Sequence, residues 1–193
     1  DTADTSEPSD TGSPSTVCPD GMVAWWRGEG DATDSWGGHH GVAGDAVSFA
    51  PGQVGDAMVM AGEGVAVEVS DHADFQFDQR FSIEVWLRLD AYPSYPNWGI
   101  GQILFRGDDQ GGLDPYYLSV MADETIRFHM EDESGWDTQL EAPVALDTMT
   151  HVVAVYNGEH TVYRQELWLD GALVAETINT NGTFTELPGA ANG

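Results

Sequence analysis

An all-β domain made of two antiparallel sheets packed face to face is what this sequence predicts, and three observations predict it. From Met22 onward, apolar residues recur with period two in one segment after another, the pattern of strands with one buried face. No stretch of ten or more residues carries a convincing helical period. Turn-forming residues return roughly every 8 to 12 positions, which is the rhythm of a sandwich.

Taken in order, residues 1–20, DTADTSEPSDTGSPSTVCPD, are Ser, Thr, Asp and Pro with almost nothing to bury. They cannot offset their ordering entropy alone and read as a tail or stalk, with a composition that also suits O-glycosylation in a host that performs it. The domain itself is expected over 21–193. MVAWW (22–26) opens it as a first core strand, and EGDATDSWGGHHG (29–41) is the turn that follows. GVAVEVS (64–70) alternates with Val65, Val67 and Val69 inward. FSIEVWLRLD (81–90) is the clearest strand: Phe81, Ile83, Val85, Leu87 and Leu89 share one face, Ser82, Glu84, Trp86, Arg88 and Asp90 the other. AYPSYPNWGIG (91–101), rich in proline and aromatics, reads as a surface loop.

PYYLSVMADETIRFHMED (115–132) reads as a hairpin in which Tyr116, Leu118 and Val120 are answered across Ala122-Asp123-Glu124 by Ile126, Phe128 and Met130. THVVAVYNGE (150–159) is apolar on both faces and is expected to be central. ELWLDGALVAE (166–176) sets Asp170-Gly171 between two apolar runs, the signal of a type I′ hairpin turn with positive φ at both central residues. No internal repeat is present.

Charge narrows the function classes. The chain carries 33 acidic groups against six basic ones, all arginine, for a net of −27. A polyanion of this kind is a poor partner for phosphate backbones and anionic membrane surfaces, so nucleic acid is not expected, and cations are favoured instead. No apolar run approaches the roughly 18 residues of a spanning helix, so no membrane span is expected. With Asp1 and no Met at its start, the sequence reads as a mature exported protein, extracellular or at the cell surface. Cys18 is the only cysteine and pairs with nothing in the chain.

These residues resemble a family. MVAWWRGEGDATDSWGGHHG, VSFAPGQVGDAMVMAGEGVAVEVSD, FSIEVWLRLD, ILFRGDDQGG, MTHVVAVYNGE and LWLDGALVAE follow in the order of laminin-G-like domains of the concanavalin A-like jelly-roll superfamily, from Met22 to about Glu176. The resemblance implies a jelly-roll sandwich in an extracellular module that commonly binds calcium, recognises sugars or protein surfaces, and is usually not catalytic. Family members continue through a further strand, roughly PLYIGG, and a closing strand beside the first one. Here the chain runs to TELPGAANG, so the closing strand is expected either in a longer chain or from a neighbour pairing with an open edge beside MVAWW.

In the 29–41 stretch an EF-hand fails, because Trp36 stands where its glycine is needed and Val42 where its bidentate Glu belongs. Zinc at His39-His40 is not expected, since adjacent residues on an extended chain point to opposite sides and no cysteine or HExxH partner occurs. Structural calcium held in the jelly-roll manner by Asp31, Asp34 and the Gly37 and Gly38 carbonyls is one reading. The other is a turn whose Asp31 and Asp34 make local Asx bonds.

RGDDQGGLD offers Asp108, Asp109 and Asp114 to a cation or a sugar hydroxyl, and its Arg106-Gly107-Asp108 matches an integrin-type tripeptide that arises often by chance. The Tyr95 and Trp98 loop is the candidate aromatic surface for stacking on a sugar ring, while Trp25, Trp86 and Trp168 on strands read as packing residues. HMEDESGWD is the nearest approach to a glycosidase carboxylate strand, but only Glu131 and Glu133 share a face. Asn181-Gly182-Thr183 is an N-glycosylation sequon.

The sequence therefore predicts a non-enzymatic extracellular recognition module, stabilised by Ca2+, that faces a glycan or a cell-surface protein. The alternatives are a subunit of a filament or surface layer that self-associates by strand or tail exchange, and a non-catalytic part of a secreted polysaccharide-degrading enzyme.

Overall fold

The computed structural model describes residues 20–77, 79–94, 99–107, 114–131, 137–159 and 162–179. Residues 1–19 of the expected tail, Cys18 among them, lie outside these residues, as do Tyr95, Trp98, Asp108, Asp109, Glu133 and Asn181.

Two four-stranded antiparallel sheets form the body. One has the order β12-β11-β10-β5 and the other β6-β7-β8-β9, where β5 is Arg80–Arg88, β6 Ile100–Arg106, β7 Tyr116–Met121, β8 Thr125–Glu131, β9 Asp137–Pro143, β10 Met149–Glu159, β11 Val162–Leu169 and β12 Ala172–Asn179. Two short pairs precede them: β1 (Gly41–Ala43) with β4 (Val67–Val69), and β2 (Ser48–Pro51) with β3 (Asp56–Val59). A single 3-10 turn, Ala73–Phe75, leads into β5. No helix among the described residues is long and apolar enough to cross a membrane.

The inward phase of each main strand builds one core between the sheets. Phe81, Val152, Ala154, Tyr156 and Leu167 come from one side, and Leu118, Val120, Ile126, Phe128, Met130 and Leu140 from the other. Phe81 joins the two layers, edge-on to Phe128 at 6.0 Å and tilted against Tyr116 at 4.7 Å. Each fully buried aliphatic or aromatic side chain contributes about 1.5–3 kcal/mol relative to exposure, so the alternation stabilises both the fold and its register.

The hairpin expectations hold in register. Tyr116 opposes Met130, Leu118 opposes Phe128 and Val120 opposes Ile126, with Glu124 at φ 70 closing the turn. Asp170 and Gly171 have φ 50 and 78, so both central residues of the β11–β12 turn are left-handed. The strain at Asp170 is offset locally: its carboxylate accepts from His151 N at 2.9 Å, and its N–H donates to His151 O at 2.8 Å. β10 is central, paired with β5 on one side and β11 on the other.

One expectation needs correction. MVAWW is not a strand: among residues 22–26 there is only an isolated bridge, Trp26 to Asp34. Its backbone is committed elsewhere, because Trp25 N donates to the Asp34 carboxylate and Trp25 O accepts from Ser35 N. Trp86 lies on the outward face of β5, as the alternation of FSIEVWLRLD predicts. It stands 46% exposed on the outer face of its sheet, against His151 at 4.8 Å, because the phase that buries Ile83, Val85 and Leu87 sends it outward.

Candidate functional site

Asp34 organises the first candidate region. It is 4% exposed and accepts backbone N–H bonds from Trp25 at 2.7 Å, Trp36 at 2.9 Å and His39 at 2.8 Å. Burial alone would raise its carboxyl, but those donors and the N–H of Gly37 outweigh it and hold it below the usual carboxylate value. A carboxylate has about four acceptor positions, and these bonds occupy them. Gly37 is required here because a Cβ would collide with the Val23 carbonyl oxygen, while Gly38 takes φ 84. Asp31 is exposed and accepts from Thr33 N at 2.9 Å, which lowers its carboxyl through the Thr33 backbone and hydroxyl donors. Both acids thus make the Asx bonds of the second reading, and a calcium ion at Asp34 would have to displace its donors.

The second region is the outer face of β6–β9. Period two sends Phe105, Tyr117, His129 and Gln139 outward in one row across the four strands. Beside it runs a second row of Gln102, Ser119, Arg127 and Glu141. Tyr117 stacks on His129 with centroids 4.5 Å apart and planes 8° from parallel, and Phe105 lies 6.4 Å from Tyr117. Arg127 Nε donates to Glu141 at 2.7 Å, its guanidinium also reaches the Tyr117 hydroxyl, and Ser119 Oγ donates to Gln102 Oε1.

Burial raises Tyr117, opposed by Arg127. It also lowers His129, opposed by the charge of Asp137, so His129 is held as neutral imidazole. His129 is 8% exposed and its buried Nδ1 has no partner among the described residues. Such a face offers upright ring edges and a dense set of alternating donors and acceptors.

Comparison with known proteins then places the fold. A laminin-G family model described as the concanavalin A-like lectin/glucanases superfamily matches residues 61–192. The chain belongs to that superfamily. No curated protein matches it by sequence. Among solved structures, the concanavalin A-like domain is similar to the binding domain of Paraclostridial Mosquitocidal Protein 1, at 14% identity and TM-score 0.65 over 82% of this chain and 40% of that one. It is also similar to the botulinum neurotoxin type G receptor binding domain, at 13% identity and TM-score 0.54 over 84% of this chain and 44% of that one. At these identities the likeness is one of fold, and the chain spans about two fifths of each neighbour's length.

The sequence-chosen loops precede and follow β6 in the chain of this concanavalin A-like domain. Residues 91–99 enter β6 and 107–115 leave it, so the expected ligand loops border that strand. Of the five ligand residues expected there, Asp114 is described: a Cβ at Gly107 would collide with its carboxylate, and its charge raises Tyr117. Arg106 is 8% exposed and pairs with Asp71 at 3.1 Å, so the cation of the integrin-type tripeptide is not offered to solvent. Sequence reading missed Tyr117, Arg127, His129, Gln139 and Glu141. The signal lay in the outward phase of PYYLSV and TIRFHME, where Tyr, Arg and His stand in place of small polar residues.

Proposed function

We propose that this domain is a non-catalytic, extracellular glycan-recognition module whose ligand lies along the outer face of β6–β9. The observation that carries the reading is Arg127, paired with Glu141 and acting on the Tyr117 hydroxyl on the outer face of the sheet. Paired donors and acceptors of this kind suit vicinal sugar hydroxyls, which donate and accept together. The rings stand on edge, so hydrogen bonding sets specificity here.

Charge selects the sugar class. Arg127 is already neutralised by Glu141, and the chain is a polyanion of net −27, so neutral glycans are favoured over sialylated or uronic ones. The resemblance to domains described as binding and receptor binding supports a binding role. An array of neutral and acidic glycans probed with the full chain tests the proposal: hits on neutral glycans that disappear in Arg127→Ala support it. A flat array, or hits unchanged in Arg127→Ala, would sink it.

A further inference from the structure

We propose that His39, His72 and Asp74 form a zinc site, separate from the glycan face and independent of it. The adjacent pair His39-His40 could not supply such a site alone, but the fold brings His39 to two ligating side chains more than thirty residues downstream. His39 Nε2 lies 3.1 Å from Asp74 Oδ2, and His72 Nδ1 lies 3.3 Å from the same oxygen. All three donor atoms fall within 4.8 Å of one another. Metal bonds of about 2.0–2.2 Å in a tetrahedron place neighbouring ligand atoms about 3.3 Å apart. Two of the three separations are therefore already close to that value, and the third lies within 4.8 Å.

The site is supported from beneath. His39 is held at its backbone, with its N–H on Asp34 at 2.8 Å and its carbonyl accepting from Trp26 Nε1 at 2.7 Å. Its ring packs against Phe75 at 4.6 Å and His72 at 4.8 Å, with a side chain only 10% exposed. Backbone and packing thus fix its direction before any ion arrives, the arrangement that lowers the cost of binding. His72 Nδ1 accepts from Asp74 N at 3.2 Å, so its lone pair already faces the cluster, and a metal would replace one long hydrogen bond.

Two imidazoles and one carboxylate select the ion. Calcium and magnesium require six or more oxygen-type ligands or retained waters, whereas nitrogen-rich sets favour zinc and its neighbours. His72 and Asp74 are more than half exposed, which leaves a fourth position on the solvent side for water or an incoming ligand. The ion would tie the 35–40 loop to the 3-10 turn ahead of β5.

The test is titration of the chelator-stripped full chain with Zn2+, followed by calorimetry and melting temperature. One saturable equivalent is expected, with a rise in melting temperature that a hundredfold excess of Ca2+ does not abolish. His72→Ala and Asp74→Asn should each weaken zinc at least tenfold, and the zinc-induced rise in melting temperature, read against each variant's own metal-free value, should be lost. His40→Ala should bind as the parent does. No saturable zinc binding, displacement by calcium, or parent-like binding in His72→Ala and Asp74→Asn would each overturn the site, the last by placing zinc on other surface acids.

Discussion

Tyr117 and His129 stand face to face across β7 and β8, ring centroids 4.5 Å apart and planes 8° from parallel. Neighbouring strands are separated by about 4.8 Å, so the two rings must stand upright on the sheet, each shielding the other's face. Edges and polar tips meet a ligand first. Tyr117→Ala is therefore expected to leave the fold intact and to weaken glycan binding about tenfold, or ~1.4 kcal/mol, measured by calorimetry against the best array hit. Unchanged affinity would move the ligand off this face.

The same pair sets a pH dependence. Burial lowers His129 in the folded state, opposed by Asp137. The fold favours the neutral ring, so this contribution is present above the unfolded histidine value of about 6.5 and is lost as pH falls from there toward the folded value. An NMR titration should find His129 below the free-histidine range. Urea denaturation at pH 7.5 and 5.5 should show a loss of stability at the lower pH that shrinks in His129→Gln.

Asp34 offers the sharpest separation between clamp and ion ligand. Removing its carboxylate orphans N–H groups of Trp25, Trp36 and His39, so Asp34→Ala should cost about 3 kcal/mol or more. Asp31→Ala, at an exposed residue, should stay within about 0.5 kcal/mol. Because Asp34 is depressed, its contribution is intact above the unfolded value of about 3.9 and is lost as pH falls through the folded one. Denaturant curves with calcium and with chelator decide the remaining question: a calcium-dependent loss in the Asp31 variant would restore the ion to this loop.

Phe128 and Trp86 test the burial phase of the two sheets. Phe128 is wholly buried between the layers, and Phe128→Ala should destabilise by about 3–5 kcal/mol. Trp86, half exposed on the outer face, should cost less than about 1.5 kcal/mol when truncated, chiefly through its contact with His151. Equal losses in urea denaturation would mean that the outer face of β5 is covered in solution.

Most of the sandwich was legible because strand periodicity is local. Phe81 to Leu89, the Tyr116 to Met130 hairpin and the Asp170-Gly171 turn each carry their instruction within a dozen or so residues. MVAWW was misread for the same reason: its alternation is strand-like, but a strand needs a partner, and the loop acid Asp34 took its backbone instead. The candidate face was half legible. The segments before and after β6 stood out by composition, whereas Tyr117 and His129 were hidden in the outward phase of strands read for their inward one.

By itself, the sequence determined the all-β class, the inward set of core residues, the type I′ turn and the acidic surface, since each follows from residue type and short spacing. Tertiary structure alone decided which distant groups meet. Arg127 reaches Glu141 only through the β8–β9 register, and His39 reaches His72 and Asp74 only because the chain folds back across 33 to 35 residues. Such contacts depend on the path of the backbone between them, which periodicity cannot encode.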